Sequence, residues 1–177
     1  MPASLQGELV SLRPATLADR RSIYEWMAES DITHLMLGPP LFPDVEASDW
    51  EEFLEDYLPH FFDGSAPEKG RCFLIEREGE AIGQVNYNDV YGKATELDIW
   101  LKSAAVLGKG YGTDAVRTLI GYLREQMGLT EFRIAPSERN PAAVRSYEKV
   151  GFRRAAAWEG FVPDYHDAVP MVLRVGD

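Results

Sequence analysis

Three short stretches carry groups whose types and spacing could do chemistry. The first is Gly108-Lys109-Gly110-Tyr111-Gly112, entered from a predicted strand and running straight into a predicted helix. Glycines allow positive φ and close approach to the backbone, while a helix N-terminus offers free N–H groups and the positive end of a dipole. With Lys109 adding a cation, the turn suits a phosphate or pyrophosphate. It fits neither common nucleotide fingerprint. Lys109 precedes Gly110 rather than Ser or Thr, and the loop lies past mid-chain without the further glycine of the dinucleotide pattern. The second stretch, 95–101, alternates, with Leu97, Ile99 and Leu101 on one face and Glu96, Asp98 and Trp100 on the other. A carboxylate there is either a surface group or a place to hold an ammonium and accept its proton. In the third, Asn140 before Pro141 reads as a helix cap and first turn, and Val144, Tyr147 and Val150 share one helix face.

The elements that must position these groups follow from periodicity and punctuation. Residues 8–13 alternate and predict a strand ending at Pro14; Thr16 and Asp19 then form a near capping box ahead of Ile23, Trp26 and Met27. Residues 38–43, rich in Gly and Pro, must be a loop. A second helix is expected from near Asp44, with an apolar stripe of Trp50, Phe53, Leu54, Tyr57, Leu58 and Phe61. Its other face bears Asp44, Glu46, Asp49, Glu51, Glu52, Glu55 and Asp56, either a solvated surface or an acidic wall beside a site that receives amines. Strands at 72–77 and 81–87 flank a hairpin turn at 78–80. A helix carrying Val116, Leu119, Ile120, Leu123 and Met127 closes at Gly128; a short strand over 131–135 stops at Pro136. The helix opened by Asn140 ends at Gly151, and strands near 152–158 and 168–175 complete the order. This succession predicts an α+β (mixed α/β) fold over residues 1–177, a single domain with one twisted, mostly antiparallel sheet of about seven strands and about four helices.

Composition narrows the classes. The 177 residues are 45% hydrophobic and 27% charged, as expected of a globular chain able to bury a core. One cysteine, Cys72, excludes an internal disulfide framework, and His34, His60 and His166 lie too far apart for a zinc module, so no metal is expected. Neither a membrane-spanning run nor a leader pattern is visible, which gives a cytoplasmic expectation with no membrane partner. A net charge of −11 would repel nucleic acid and attract a cationic small molecule.

Leu107-Gly108-Lys109-Gly110-Tyr111-Gly112-Thr113-Asp114-Ala115 resembles the acyl-CoA signature of the GNAT superfamily of N-acyltransferases, usually Arg/Gln-x-x-Gly-x-Gly/Ala. Downstream, Asn140 followed by Tyr147-Glu148-Lys149-Val150-Gly151-Phe152 resembles that family's second signature, in its order and spacing. Leu107 departs from the usual Arg or Gln. With Tyr24-Glu25-Trp26, it resembles the subgroup of aminoglycoside 6'-N-acetyltransferases. Ala135-Pro136-Ser137 stands where those relatives resemble Asp-Pro-Ser, so one anionic contact to a polycationic sugar is missing.

The resemblance implies acetyl-CoA as cosubstrate, lying between the strands 95–101 and 131–135, and direct transfer to a primary amine of a small molecule or peptide. It implies cofactor contacts from Ile99, Leu101, Leu107, Gly108, Lys109, Gly110, Tyr111, Gly112, Thr113 and Asn140, and acceptor contacts from Glu96, Asp98 and Trp100. Asp98 is the implied base with Glu96 in reserve, Tyr147 the acid, and an amide near Ile99 or Trp100 the oxyanion donor. Cys72 and the histidines receive no role. An aminosugar, a polyamine and a protein N-terminus of the ribosomal-protein type are all open as acceptors, and so are a larger acyl group and a homodimer. The rival from another class is a non-catalytic acyl-CoA-binding module.

Overall fold

The hairpin expected around Gly79 seeds the sheet. In the computed structural model, which describes residues 3–176, β3 (Gly70–Arg77) and β4 (Glu80–Tyr91) pair along their length. Glu78 and Gly79 both take positive φ (52° and 79°), the backbone that a tight two-residue turn between twisted strands requires. β4 continues antiparallel into β5 (Ala94–Leu101). Around this meander lie β1 (Leu5–Gln6), β2 (Ser11–Pro14), β6 (Glu131–Ile134), β7 (Arg153–Arg154) and β8 (Met171–Arg174). The sheet order is β1-β2-β3-β4-β5-β6-β8-β7, and every pairing is antiparallel except β5 with β6.

One face packs against α5 (Tyr111–Met127) and α6 (Pro141–Val150), burying Leu119, Leu123, Phe132 and Phe152. The other face packs against α1 (Arg20–Ala28), α3 (Trp50–Asp56) and α4 (His60–Asp63) around Ile23, Phe53 and Phe62, with the one-turn α2 (Thr33–Met36) beside α1. α5 ends at Gly128 with φ 65°, whose N–H reaches back to Arg124, the left-handed stop that glycine supplies without strain.

Eight strands and six helices among the described residues exceed the expected seven and four, because β1, α2 and α4 are each too short to leave a periodic signal. The first predicted strand is also displaced. Residues 8–10 form a turn instead, since the N–H groups of Glu8, Leu9 and Val10 donate to the Asp114 carboxylate at the start of α5 (3.1, 2.7 and 3.0 Å). The second helix starts at Trp50 rather than near Asp44. Asp49 accepts from the Glu52 N–H while Glu52 accepts from that of Asp49, a reciprocal cap, and Pro59 then separates α3 from α4. Leu58 is consequently exposed rather than part of the stripe. The C-terminal strands are shorter than the 152–158 and 168–175 expected.

Candidate active site

β5 and β6 run side by side only where Ala94, Thr95 and Glu96 meet Glu131, Phe132 and Arg133. Beyond Glu96 the strands part, and β5 keeps β4 as its neighbour. Lys102 donates its N–H to Ile82 on β4, so by strand alternation the amides of Asp98 and Trp100 also face β4, while those of Ile99 and Leu101 face the gap. Of the two oxyanion donors expected, only Ile99 is therefore aimed into the opening. Its N–H currently meets the Asp98 Oδ1 at 2.9 Å.

After β5 the chain passes through a single 3₁₀ turn, Ala104–Val106, and enters α5 through Gly108 (φ 69°) and Gly110 (φ 82°). Positive φ, rather than lack of space, demands glycine at these positions: a Cβ at Gly108 would meet nothing within 4 Å. No side chain caps α5, so the leading N–H groups of a 17-residue helix stay available to an anion. Lys109 is exposed beside them and Leu107 half-buried. The Tyr111 ring is covered by the Arg77 guanidinium at 4.9 Å, so the phenyl face is engaged in holding the turn. The Thr113 and Ser146 hydroxyls meet at 2.8 Å and tie α5 to α6. An uncapped cradle of this kind fits the diphosphate of coenzyme A.

The gap opens into a cavity of about 930 Å³, whose walls include Glu96, Asp98, Ile99, Trp100, Asn140 and Tyr147. Leu101 and the turn 107–113 lie outside it. Asp98 is open to the cavity yet crowded by protein. Burial, then the nearby negative charge of Asp164, push its carboxyl up to about 7, against the opposing Ile99 N–H. Tyr147 is half-buried on α6; burial and then Asp98 hold its phenol well above the ordinary tyrosine range, so it stays protonated. Glu96 is also raised by burial, but the Trp158 indole N–H donates to its Oε1 at 2.6 Å. Trp100 is buried with its own indole N–H on the Trp26 carbonyl at 2.8 Å, pinning α1 to β5. The Asn140 side chain caps α6 by accepting the Ala143 N–H (3.2 Å), and its amide N–H₂ points at the Met36 sulfur (3.2 Å).

Several cavity groups escape sequence reasoning. Asp164 faces it from the connection before β8, its carboxyl raised by burial and then by Asp56. Tyr57, read as part of an apolar stripe, also lines it, its phenol raised by burial and then Asp98. On β4, Asn88 donates to Asn86 (3.0 Å) and Asn86 to Gln84 (3.2 Å), forming a ladder of amides whose rungs pair in register with Glu96, Asp98 and Trp100. The signal for this ladder was present: three amide side chains at i, i+2 and i+4, alternating with the apolar Val85 and Tyr87. Of the supposed acidic wall, Glu46, Glu55 and Asp56 line the cavity, whereas Asp44 is bound by Arg139 and His166. Cys72 is fully buried, donates to Gln84 Oε1 (3.2 Å), and has a thiol pushed far up by burial, which removes it as a nucleophile.

Residues 10–153 match the model of the acetyltransferase (GNAT) domain. The chain belongs to the GNAT acetyltransferase family. This GNAT chain is 31% identical over 163 residues to aminoglycoside N(6')-acetyltransferase type 1 of Klebsiella pneumoniae, covering 84% of this chain and 76% of that protein. It is 27% identical over 157 residues to the human alpha/beta-tubulin-N-acetyltransferase 9, covering 86% and 76%. Among solved structures, AAC(6')-Ib in complex with Parmomycin and AcetylCoA superposes with a TM-score of 0.73 at 28% identity, over 94% of each chain. Within the GNAT frame, Ala135 and Ser137 line the cavity without a carboxylate, and Asp164 brings one to it from the connection before β8.

Proposed function

We propose that this GNAT chain, acting as one domain, transfers an acetyl group from acetyl-CoA directly to a primary amine of a cationic small molecule of the aminosugar type. The observation that carries this reading is Asp98. It stands on the strand edge bordering the gap, in a cavity lined by further carboxylates, with a carboxyl poised at about 7. A group with that affinity can hold an arriving ammonium and take its proton near neutral pH. Amides of Gly108 to Thr113 grip the diphosphate, and the free edge of β5 hydrogen-bonds the pantetheine arm as an added strand would.

The residues then divide the work. Asp98 accepts a proton from the ammonium, leaving the nitrogen lone pair free to bond the acetyl carbon. Once the ammonium competes for the Asp98 carboxylate, the Ile99 N–H is released to stabilise charge developing on the carbonyl oxygen. As the carbon–sulfur bond breaks, Tyr147 gives its phenolic proton to the leaving thiolate, the second proton on the acylated nitrogen passes to the phenolate so formed, and Asp98 releases the proton it took to solvent. Cys72, buried with its thiol pushed far up by burial, is not placed to act as the nucleophile of a covalent relay.

The test is a mass-shift screen with acetyl-CoA and pooled aminoglycosides, polyamines and peptides with free N-termini, alongside thiol release. A gain of one acetyl group on an aminosugar supports the reading. Transfer confined to peptides moves the acceptor to the protein N-terminal type. Coenzyme A binding with no transfer to any amine leaves the non-catalytic module.

A further inference from the structure

Three chain segments that wall the cavity meet at one guanidinium outside it. Arg139 Nε–H donates to Asp167 Oδ2 (2.9 Å), and Nη2 donates to Asp167 Oδ1 (3.1 Å) and Asp44 Oδ2 (3.2 Å). Nη1 donates to Asp44 Oδ1 (2.5 Å) and to the Leu41 carbonyl (3.1 Å). A guanidinium has five N–H donors, and here all are used. Its flat face also covers the Phe42 ring at 4.5 Å. Further bonds converge on the same carboxylates: the Ser137 hydroxyl on Asp167 (2.8 and 2.9 Å) and His166 Nδ1 on Asp44 (2.5 Å). Phe42 in turn packs on Tyr165 at 5.7 Å, and both rings line the cavity with Asp164.

We propose that Arg139 is the positioning residue of the acceptor site, a clasp that holds the loop 38–45 against the connection 160–167 and thereby fixes Phe42, Tyr165 and Asp164 around Asp98. The inference rests on the transferase reading for its kinetic consequence but not for its structural one. Both segments lack regular secondary structure: loop 38–45 contains only an isolated bridge between Gly38 and Phe42, and 160–167 joins β7 to β8. Without a shared cross-link, nothing in their own backbone bonding sets their separation. Arg139 directly precedes Asn140, the cap of the helix that carries Tyr147, so the clasp also references the acceptor walls to the acid. Lysine cannot substitute, because an ammonium has three donors and no planar fork.

The test compares wild type, Arg139→Lys and Arg139→Ala by steady-state kinetics with the amine found in the screen, and by amide hydrogen exchange. In Arg139→Lys the amine KM should rise about tenfold, ~1.4 kcal/mol, with the acetyl-CoA KM changed less than about twofold. Exchange should speed up in 38–45 and 160–167 together, with α5 unaffected. An amine KM within about twofold of wild type, or loosening of one segment alone, overturns the clasp. If Arg139→Ala does not fold, the lysine variant still decides. If wild type acetylates no amine, the transferase reading fails and paired exchange alone supports or sinks the clasp.

Discussion

The two sides of β5 are built on opposite principles. The cofactor turn is made of backbone from one contiguous run, 104–113, and its only strict requirements are positive φ at Gly108 and Gly110 and an uncapped helix end. The acceptor cavity is made of side chains from segments scattered between Met27 and Tyr165, held in place by hydrogen bonds and by the Arg139 clasp. A backbone site survives most substitutions, Leu107 among them. A side-chain site fails one group at a time. The contrast predicts that changes to the two cavity groups given a chemical role, Asp98 and Tyr147, reduce turnover far more than changes in the turn, and that the two sets alter different constants.

The largest effect should come from Tyr147→Phe. Loss of a positioned acid costs about 10²–10³-fold in kcat, read by thiol release, with coenzyme A affinity unchanged by calorimetry. Retained turnover would remove Tyr147 from the chemistry and reduce it to a packing residue against Phe152, which its ring meets at 6.2 Å.

Next is Asp98→Asn, with an expected loss of about a hundredfold in kcat/KM and a changed pH profile. The base works when ionised, so wild-type kcat/KM should climb with pH and level off above about 7; the variant should lack that limb. Stability gives an independent reading. The folded carboxyl titrates near 7 against an ordinary 3.8, so between those values the native state holds a proton that the unfolded state has released. Stability therefore falls as pH rises through this window, and thermal melts of Asp98→Asn should lose that decline. A wild-type profile flat between pH 5 and 8 would separate Asp98 from catalysis.

Gly110→Asp probes the backbone side. A side chain at φ 82° is strained, and its charge lies beside the diphosphate, so coenzyme A affinity should fall about ten- to thirtyfold. Saturating turnover should stay near wild type. A loss in kcat equal to that in affinity would show that the turn and the cavity are not separable.

The same contrast explains what could be read from the chain. The turn, α5 and α6 are local: glycine spacing, helix periodicity and the Asn140-Pro141 start all lie within a few residues of what they determine. Asp98 and Tyr147 can be singled out as candidates because they sit in or near those runs. The clasp joins Asp44 to Arg139 and His166 across roughly a hundred residues, and nothing local marks any of them as partners. Asp114 shows the same limit in the fold. Its pull on the amides of Glu8, Leu9 and Val10 turned an alternating stretch, locally a strand, into a turn.

Glu96→Gln should have the smallest effect, and it separates the two carboxylates that share the polar face of β5. Both are raised by burial, so titration alone does not rank them. Bonding does. Glu96 accepts the Trp158 indole N–H, and that ring is held between Arg133, at 5.4 Å, and Phe161, at 4.7 Å. A glutamine carbonyl accepts the same bond, so the wall keeps its shape and kcat/KM should stay within about threefold of wild type. Among the described residues, the hydrogen bond to Asp98 comes from a neighbouring amide that an arriving ammonium can displace. Were Glu96→Gln to cost as much as Asp98→Asn, proton acceptance would be shared along the strand, and the acceptor would have to bind one rung nearer the start of β5.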